Sequence, residues 1–261
     1  MVEPLLLITL LLIGFGVGFL ASLLGLGGGV LLVPILVLGL GLTTHNAVST
    51  SLLAVLATAT SATLAYARQK RIVFRLGVLT IAATIPSAFI GAEISRYFSS
   101  QLLAAIFSIV VICLGFVMLF GKEGKNKGVS SNKKMLASGL SLLASFTLFF
   151  CVGLVAGLLG IGGGILVVPI YTLLLGVGIH YAVATSTFTI IFTALAGLLR
   201  HYTLGHLLFE YAILLTTGVV IGAQLGPRLN KMLNTLLLRR IFAVAIIGVS
   251  INLFITKFLL A

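Results

Sequence analysis

Two glycine-rich segments carry the residue types and spacing that could bind a small anion. Each contains three consecutive glycines with a proline five residues further on, and the six glycines are Gly27, Gly28, Gly29, Gly162, Gly163 and Gly164. Glycine permits backbone conformations closed to other residues and lets a ligand approach the backbone closely. A helix that starts after such a break points N–H groups with positive partial charge at the ligand. Close packing of helices through small residues is the alternative interpretation.

A pair of hydroxyl side chains follows each glycine segment at the same distance. Thr50 and Ser51 follow the first, Thr185 and Ser186 follow the second, and the spacing is 22 residues in both (50 − 28 and 185 − 163). These hydroxyls could cap a helix or donate to ligand oxygens. Because glycine break and hydroxyl pair recur together, we predict that both copies contribute to one central binding site.

Ionisable residues are few and offer three candidates for coupling or gating. His45 and His180 each precede a duplicated threonine by five residues, and could sense protons, contact an anion or lie at the membrane interface. Glu210 has Arg200, His201 and His206 nearby in sequence and is the candidate proton carrier. Glu93 is expected to pair with Arg96. The chain has four acidic residues, Glu3, Glu93, Glu123 and Glu210, which favours an anionic or polar neutral substrate over a cation.

Composition places these residues in a membrane protein. The chain has 261 residues, of which 60% are hydrophobic and 8% are charged, whereas soluble domains carry about 25% charged residues. The net charge of +12 resides in short links between apolar segments, as in membrane proteins, so nucleic acid is not an expected partner. Cys113 and Cys151 are predicted to be small buried side chains, and no metal or cofactor is indicated. No motif typical of an enzyme is present.

An internal repeat organises the chain. The segment Gly25–Ile35 matches Gly160–Ile170 without a gap at an offset of 160 − 25 = 135 residues, and the same offset pairs His45 with His180 and Gly91 with Gly226. The predicted halves are 1–120 and 135–261, joined by a lysine-rich cytoplasmic linker at 121–134.

Each half contains five apolar elements, so the predicted fold is an all-α integral membrane protein. The elements lie near 5–24, 29–41, 46–67, 74–93 and 101–120, and near 136–159, 164–178, 182–200, 208–226 and 239–258. A membrane span needs about 20 apolar residues. The second element of each half is shorter and contains a proline, so it is predicted to be a half-helix or a broken helix.

The positive links predict that the two halves are inserted in opposite senses. Basic residues cluster in the link after the third element of the first half, at 68–71, but after the fourth element of the second half, around Arg228 and Arg240. Positive links face the cytoplasm. An odd number of elements per half gives this inversion and puts both termini outside, as in many secondary transporters.

The duplicated motifs resemble those of a known family. The segment Gly157–Ile170 followed by Ala184-Thr185-Ser186, and the copy Leu23–Ile35 followed by Ser49-Thr50-Ser51, resemble the TauE/SafE family of sulfite exporter-like permeases. The resemblance covers nearly the whole chain and departs at Ser49, where the second half has Ala184. It implies a multi-pass transporter of the plasma membrane, typically prokaryotic, for sulfite, sulfonates or sulfoacetate. It also implies that the glycine runs and the Thr-Ser pairs line the anion site.

These observations predict a secondary permease for small anions that is embedded in the lipid bilayer. Rocking between the halves would alternate access, with a proton or sodium as the coupling ion. The alternatives are a passive anion channel and a non-transport membrane assembly protein. The exact substrate, the direction of transport and the oligomeric state stay open.

Overall fold

The computed structural model describes residues 4–120, 139–230 and 235–259, and these residues form ten α-helices and no strand. In the first half the helices are α1 (Pro4–Leu24), α2 (Gly29–Pro34), α3 (Thr44–Arg68), α4 (Phe74–Ser95) and α5 (Ser100–Phe120). In the second half they are α6 (Gly139–Leu159), α7 (Gly164–Pro169), α8 (Ile179–Thr203), α9 (Phe209–Leu229) and α10 (Thr235–Phe254). The helical fold class and the order of elements are as predicted.

Six helices in the described part of the chain are long and apolar enough to cross a membrane. They are α1, α3, α4, α5, α8 and α9. Large apolar side chains such as Phe116 and Ile221 stay exposed on the outer faces of these helices, at 50% and 61% of their area. Exposed apolar bands of this kind suit contact with lipid, and the prediction of a multi-pass membrane protein is confirmed.

The second element of each half is short and irregular. α2 and α7 have six residues each and continue as single π-helical turns, Ile35–Gly39 and Ile170–Leu174. Pro34 and Pro169 stand at the junctions, where a residue without an N–H group interrupts the regular hydrogen-bond ladder. The predicted broken elements are therefore present in both halves.

The two halves are tightly interleaved through glycine-lined helix contacts. α1 packs closely against α9, and α4 against α6, so each pair combines one helix from each half. A Cβ atom on Gly18 would lie 2.6 Å from Cα of Val219, and one on Gly157 would lie 2.6 Å from the carbonyl carbon of Ala88. Small residues of this kind let helix backbones approach closely in a membrane.

α3 and α8 cross in the centre, and their ends contact different links. At the start of α3, the hydroxyl of Thr44 donates to the carbonyl oxygen of Ser100, 2.8 Å away, in the first turn of α5. Near the start of α8, the hydroxyl of Thr185 accepts from the N–H of Val73, in the link between α3 and α4, at 3.0 Å. The start of α3 therefore contacts the first turn of α5, whereas α8 contacts the link between α3 and α4.

One prediction made from the sequence is wrong, and another concerns residues outside the described ranges. Cys113 on α5 and Cys151 on α6 are exposed, so the prediction that they are buried is wrong; an apolar surface that faces lipid tolerates a thiol as a core does. The proposed linker 121–134 lies outside the described residues, and so do Glu3 and Glu123. The division at 120 and 135 stays a prediction.

Candidate functional site

Each glycine segment reverses the direction of the chain through residues with positive φ, a backbone conformation that favours glycine. φ is +71°, +78° and +96° at Gly25, Gly27 and Gly28, and the corresponding values in the second half are +70°, +72° and +85° at Gly160, Gly162 and Gly163. Side chains with a Cβ atom are strained in this left-handed region. We call the segments Gly25–Gly29 and Gly160–Gly164 the two glycine loops.

The two glycine loops lie against each other in the buried centre of the protein. A Cβ atom on Gly29 would collide with the carbonyl oxygen of Gly160, and one on Gly164 would collide with that of Gly25. Gly27 and Gly162 both face the side chains of Val55 on α3 and Ile190 on α8. The structure thus brings together all six glycines singled out from the sequence.

Short helices begin directly at the glycine loops, without caps from side chains. Gly28 and Gly163 are the N-cap residues of α2 and α7, and neither helix start has a side-chain cap within the described ranges. Gly29 and Gly164 open these helices and are buried. The first N–H groups of a helix have no partner inside the helix and carry positive partial charge. Two such starts meet here at the centre.

The serine hydroxyls fix the glycine loop of the opposite half. Ser51 on α3 shares its hydroxyl hydrogen between the carbonyl oxygen of Val48 in its own helix, 2.8 Å away, and that of Gly160, 3.2 Å away. Ser186 on α8 donates to the carbonyl oxygen of Gly25, 2.9 Å away. Both serines are fully buried. In this conformation their hydroxyl hydrogens are used by the protein, so their role is to hold the loops in place.

The threonine hydroxyls lie in a different environment. Thr50 accepts from the N–H of Leu208 at 3.4 Å, and Thr185 accepts from the N–H of Val73 at 3.0 Å. Because these contacts use the oxygen lone pairs, the hydroxyl hydrogens stay available as donors. Thr50 and Thr185 contact different links, so the four hydroxyls do not converge on one point as the glycines do.

Ser49 adds a feature that the sequence presented only as a departure from the repeat. Its hydroxyl oxygen is buried and has no hydrogen-bond partner among the described residues. A buried polar group without a partner is rare and costs roughly 1–3 kcal/mol. Ser49 precedes Thr50 on α3, and its equivalent in the second half, Ala184, has no hydroxyl, so this buried donor belongs to the first copy of the repeat.

His45 and His180 contact unlike partners, although they are equivalent in the repeat. Nε2 of His45 lies 3.0 Å from the carbonyl oxygen of Phe98, and its ring centroid is 5.0 Å from that of His206. Nδ1 of His180 lies 2.7 Å from Oδ1 of Asn230, whose amide nitrogen donates to the carbonyl oxygen of Leu23. His180 thus joins α8 to the ends of α9 and α1.

The acidic candidates are near the surface. Glu210 lies in the first turn of α9 and is exposed. Glu93 forms the expected ion pair with Arg96 at 3.0 Å and also binds Arg200 of α8, which the sequence did not indicate. An exposed carboxylate such as Glu210 is poorly placed to carry a proton through the centre.

Sequence reasoning missed one pair of buried residues at equivalent positions. Tyr66 donates to the carbonyl oxygen of Ser22 at 3.0 Å, and Nε2 of His201 lies 3.0 Å from that of Gly157. The repeat offset relates both the donors (201 − 66 = 135) and the acceptors (157 − 22 = 135). Extending the offset to non-identical residues would have found them.

Comparison with known proteins gives a consistent set of relatives. The family described as "Sulfite exporter TauE/SafE" matches residues 10–253. The chain is 30% identical to the "Probable membrane transporter protein YunE" of Bacillus subtilis, over 94% of this chain and 96% of that protein. It is 29% identical to the "Probable membrane transporter protein YfcA" of Escherichia coli (strain K12), over 88% and 82% of the two chains. The "Probable membrane transporter protein MJ0441" of Methanocaldococcus jannaschii is also 29% identical, over 94% of both. No solved structure matches the chain significantly.

Proposed function

Since the chain belongs to the sulfite exporter TauE/SafE family, we propose that it is a secondary transporter for small sulfur-containing anions such as sulfite, sulfonates or sulfoacetate. Its family and relatives are membrane transporters. This confirms the predictions that the protein is a transporter and that it is not an enzyme. We further propose the plasma membrane as its location. The substrate class and the mechanism are argued below from the geometry.

The observation that carries the proposal is the contact between the two glycine loops. They bring two uncapped helix starts, those of α2 and α7, into one buried region. Positive partial charge without a carboxylate partner suits an anion. Thr50 and Thr185 add hydroxyl hydrogens for which the described residues provide no acceptor. Ser51 and Ser186 shape the site through the loops.

An inverted repeat is the arrangement that we propose for the two halves. In its support, the hydroxyl of Thr50, near the start of α3, accepts from the N–H of Leu208 in the link between α8 and α9. Thr185, near the start of α8, contacts the link between α3 and α4. The first part of α3 thus lies near the end of α8, and the first part of α8 lies near the end of α3. These two equivalent helices therefore run in opposite directions. The basic link at 68–71 would then face the cytoplasm and both termini the outside.

In alternating access, the groups of helices that move as rigid bodies would each combine helices from both halves of the sequence. α1 of the first half contacts the backbone of α9 at Gly18, and α4 contacts the backbone of α6 at Gly157. Packing this close does not open and close readily, since separating the helices loses the close van der Waals contacts between their backbones. We propose that α1 moves together with α9 and α4 together with α6, with relative motion concentrated where α3 crosses α8. In this proposal the two moving bodies each contain helices of both halves, whereas the sequence alone suggested that one half rocks against the other.

Counterflow tests whether the protein is a carrier and not a passive channel. Proteoliposomes loaded with unlabelled sulfoacetate are expected to accumulate external labelled sulfoacetate transiently above its equilibrium level. A carrier exchanges one molecule for another at a site that faces one side at a time, whereas a channel only dissipates gradients. Sulfite and taurine serve as parallel substrates and protein-free liposomes as the control. Dissipation without overshoot for every sulfur anion would favour the channel, and no flux at all would favour the assembly protein.

Replacing Thr185 with valine tests the anion site itself. Valine keeps the shape of threonine but leaves the N–H of Val73 and any ligand oxygen without the hydroxyl, and the lost hydrogen bond is worth about 1–3 kcal/mol. We expect sulfoacetate uptake to fall about tenfold or more. Thr185→Ser retains the hydroxyl and is expected to keep most of the activity. Thr185→Val protein that elutes as wild type and transports at the wild-type rate would remove Thr185 from the site.

A further inference from the structure

Three histidines meet at one end of the protein, outside the glycine loops. His45 opens α3, His201 lies in the last turn of α8, and His206 lies in the link between α8 and α9. The ring centroids of His45 and His206 are 5.0 Å apart, and those of His201 and His206 are 6.3 Å apart. His201 is completely buried, and the other two are half-buried.

Hydrogen bonds to the backbone set the tautomers of two of these rings. Nε2 of His45 lies 3.0 Å from the carbonyl oxygen of Phe98, and Nε2 of His201 lies 3.0 Å from that of Gly157. A carbonyl oxygen only accepts, so both Nε2 atoms carry a hydrogen. In the neutral rings the Nδ1 atoms are then bare acceptors.

All three Nδ1 atoms of this cluster lack a partner. Nδ1 of His45, His201 and His206 is buried without a hydrogen bond in the described ranges of the chain. Buried polar atoms are normally paired, and three orphans in neighbouring side chains point to something that binds among them. No group of three or more His, Cys, Asp or Glu side chains among the described residues could hold a metal ion. Imidazole nitrogens without a hydrogen-bond partner suit a proton together with a polar ligand.

The surrounding charges leave an added proton without a carboxylate partner. Glu93, at the end of α4, is held by Arg96 and Arg200, and Glu210 is exposed in the first turn of α9. Helix α6 contributes a backbone carbonyl at Gly157. The ionisable residues close in sequence to the cluster and its carbonyl partners are Glu93, Arg96, Tyr97, Arg200, Tyr202, Glu210 and Tyr211. A proton on the cluster would therefore be balanced best by an anionic ligand.

The equivalent position in the first half already carries a permanent cation. The repeat offset relates His206 to Arg71 (206 − 71 = 135). The N–H of Arg71 donates to the carbonyl oxygen of Tyr66 and that of His206 to the carbonyl oxygen of His201, both at 3.4 Å. Nη1 of Arg71 is also buried without a partner within the described residues. The fold thus places a fixed positive charge at one position and a titratable group at its counterpart.

Both positions lie next to the threonines of the candidate site. Leu208, two residues after His206, donates its N–H to Thr50. Val73, two residues after Arg71, donates its N–H to Thr185. An anion that leaves the glycine loops past Thr50 would next meet the histidine cluster.

We propose that His45, His201 and His206 form a proton-binding site that an oxyanion occupies together with one proton, beside Thr50. This inference rests on the proposed transport function and deepens it by naming the proton as the coupling ion. Sodium is then not required, and Glu210 is not the proton carrier. Under the orientation proposed above, the cluster faces the outside.

The direction of the pH dependence follows from His206, which lies outside the membrane-spanning segments. Burial, and then the neighbouring His45, lower the pKa of His206 from its ordinary value of 6.5. His206 of the free protein is therefore mostly neutral at pH 7, and its protonated fraction grows as the pH falls. An anion that binds the protonated form raises proton affinity in return, because the coupling is reciprocal. Transport should rise as pH falls.

Sulfoacetate uptake at two pH values tests the inference. Both acid groups of sulfoacetate are ionised between pH 5.5 and 7.5, so the change reports on the protein. With equal pH inside and outside, we expect wild-type proteoliposomes to take up sulfoacetate about fivefold or more faster at pH 5.5 than at pH 7.5. This ratio of rates corresponds to a free-energy difference of roughly 1 kcal/mol. A pH dye inside the vesicles should report protons entering with the anion.

Variants of His206 separate proton binding from structure. His206→Gln should remove the stimulation at pH 5.5, whereas His206→Arg, which copies Arg71, should make uptake nearly independent of pH. His180→Gln changes the equivalent of His45 at a site where Asn230 already satisfies the ring, and should keep the wild-type ratio of rates. Melting temperatures of all variants establish that they are folded.

The outcomes distinguish the inference from the function on which it rests. Wild-type uptake that is equal at both pH values, or a wild-type pH ratio in His206→Gln, overturns the proton site and leaves the transporter standing. Absence of flux of any sulfur anion at either pH overturns the transporter and the proton site with it. Loss of the pH response in His206→Gln, with retained response in His180→Gln, supports the site.

Discussion

Replacing Gly18 with leucine is expected to prevent the protein from reaching a stable fold. A Cβ atom at this position would lie 2.6 Å from Cα of Val219, and its obstacle is the backbone of α9, which cannot move aside as a side chain could. Overpacking costs up to about 3 kcal/mol in well-packed cores, and a backbone obstacle places this site at the upper end or beyond. We expect loss of monodisperse protein in detergent, measured by size-exclusion chromatography and thermal unfolding.

Gly16 supplies a matched control on the same helix. A Cβ atom there meets nothing within 4 Å, so Gly16→Leu adds the same side chain to α1 without touching α9. We expect Gly16→Leu to unfold within a few degrees of the wild-type protein. If both variants behaved alike, the close contact between α1 and α9 would not be what holds the halves together.

Replacing Gly163 with alanine is expected to reduce transport strongly while leaving the protein folded. φ at Gly163 is +85°, where a Cβ atom costs roughly 1–2 kcal/mol, and the new methyl group would lie 3.3 Å from Cβ of Ala156. The loop relieves this strain by shifting, and the N–H groups at the start of α7 shift with it. We expect sulfoacetate uptake per mole of folded protein to fall at least about tenfold.

A variant of Gly176 separates the role of the glycine loop in transport from the free-energy cost of placing a Cβ atom at positive φ. Its φ is +63°, and a Cβ atom would meet nothing within 4 Å, so Gly176→Ala carries a similar backbone penalty away from the glycine loops. Its melting temperature should fall by an amount similar to that of Gly163→Ala, while its uptake stays near wild type. Equal loss of uptake in both variants would show that stability, and not the geometry of the glycine loop, limits transport.

The elements were predictable because each is encoded by its own local sequence. The expected fourth element at 74–93 is observed as Phe74–Ser95, and the expected second element of the first half begins at Gly29 as predicted. The length of each apolar segment predicts a long helix, and the glycine run with a proline five residues later predicts where one helix ends and a short helix begins. Burial of Cys113 and Cys151 was predicted wrongly, since apolar sequence alone does not tell a core-facing helix side from a lipid-facing one.

The repeat also singled out candidate site residues, but it did not predict which partner each of them binds. Ser51 and Thr50 are adjacent and look interchangeable in the sequence. In the structure Ser51 donates to Gly160 of the other half, whereas Thr50 accepts from Leu208. Successive positions on a helix face directions about 100° apart, so neighbours in sequence serve different partners.

The sequence by itself determined that the chain is a helical membrane protein with two related halves, each interrupted at a glycine loop. Composition, segment length and the 135-residue offset contain that information. Only the tertiary structure decided that the two glycine loops touch, that α1 packs against α9 and α4 against α6, and that the rings of His45, His201 and His206 lie close together. His45 and His201 are 201 − 45 = 156 residues apart. Local sequence fixes which segments are helical, whereas contacts over such distances depend on how all the helices pack at once.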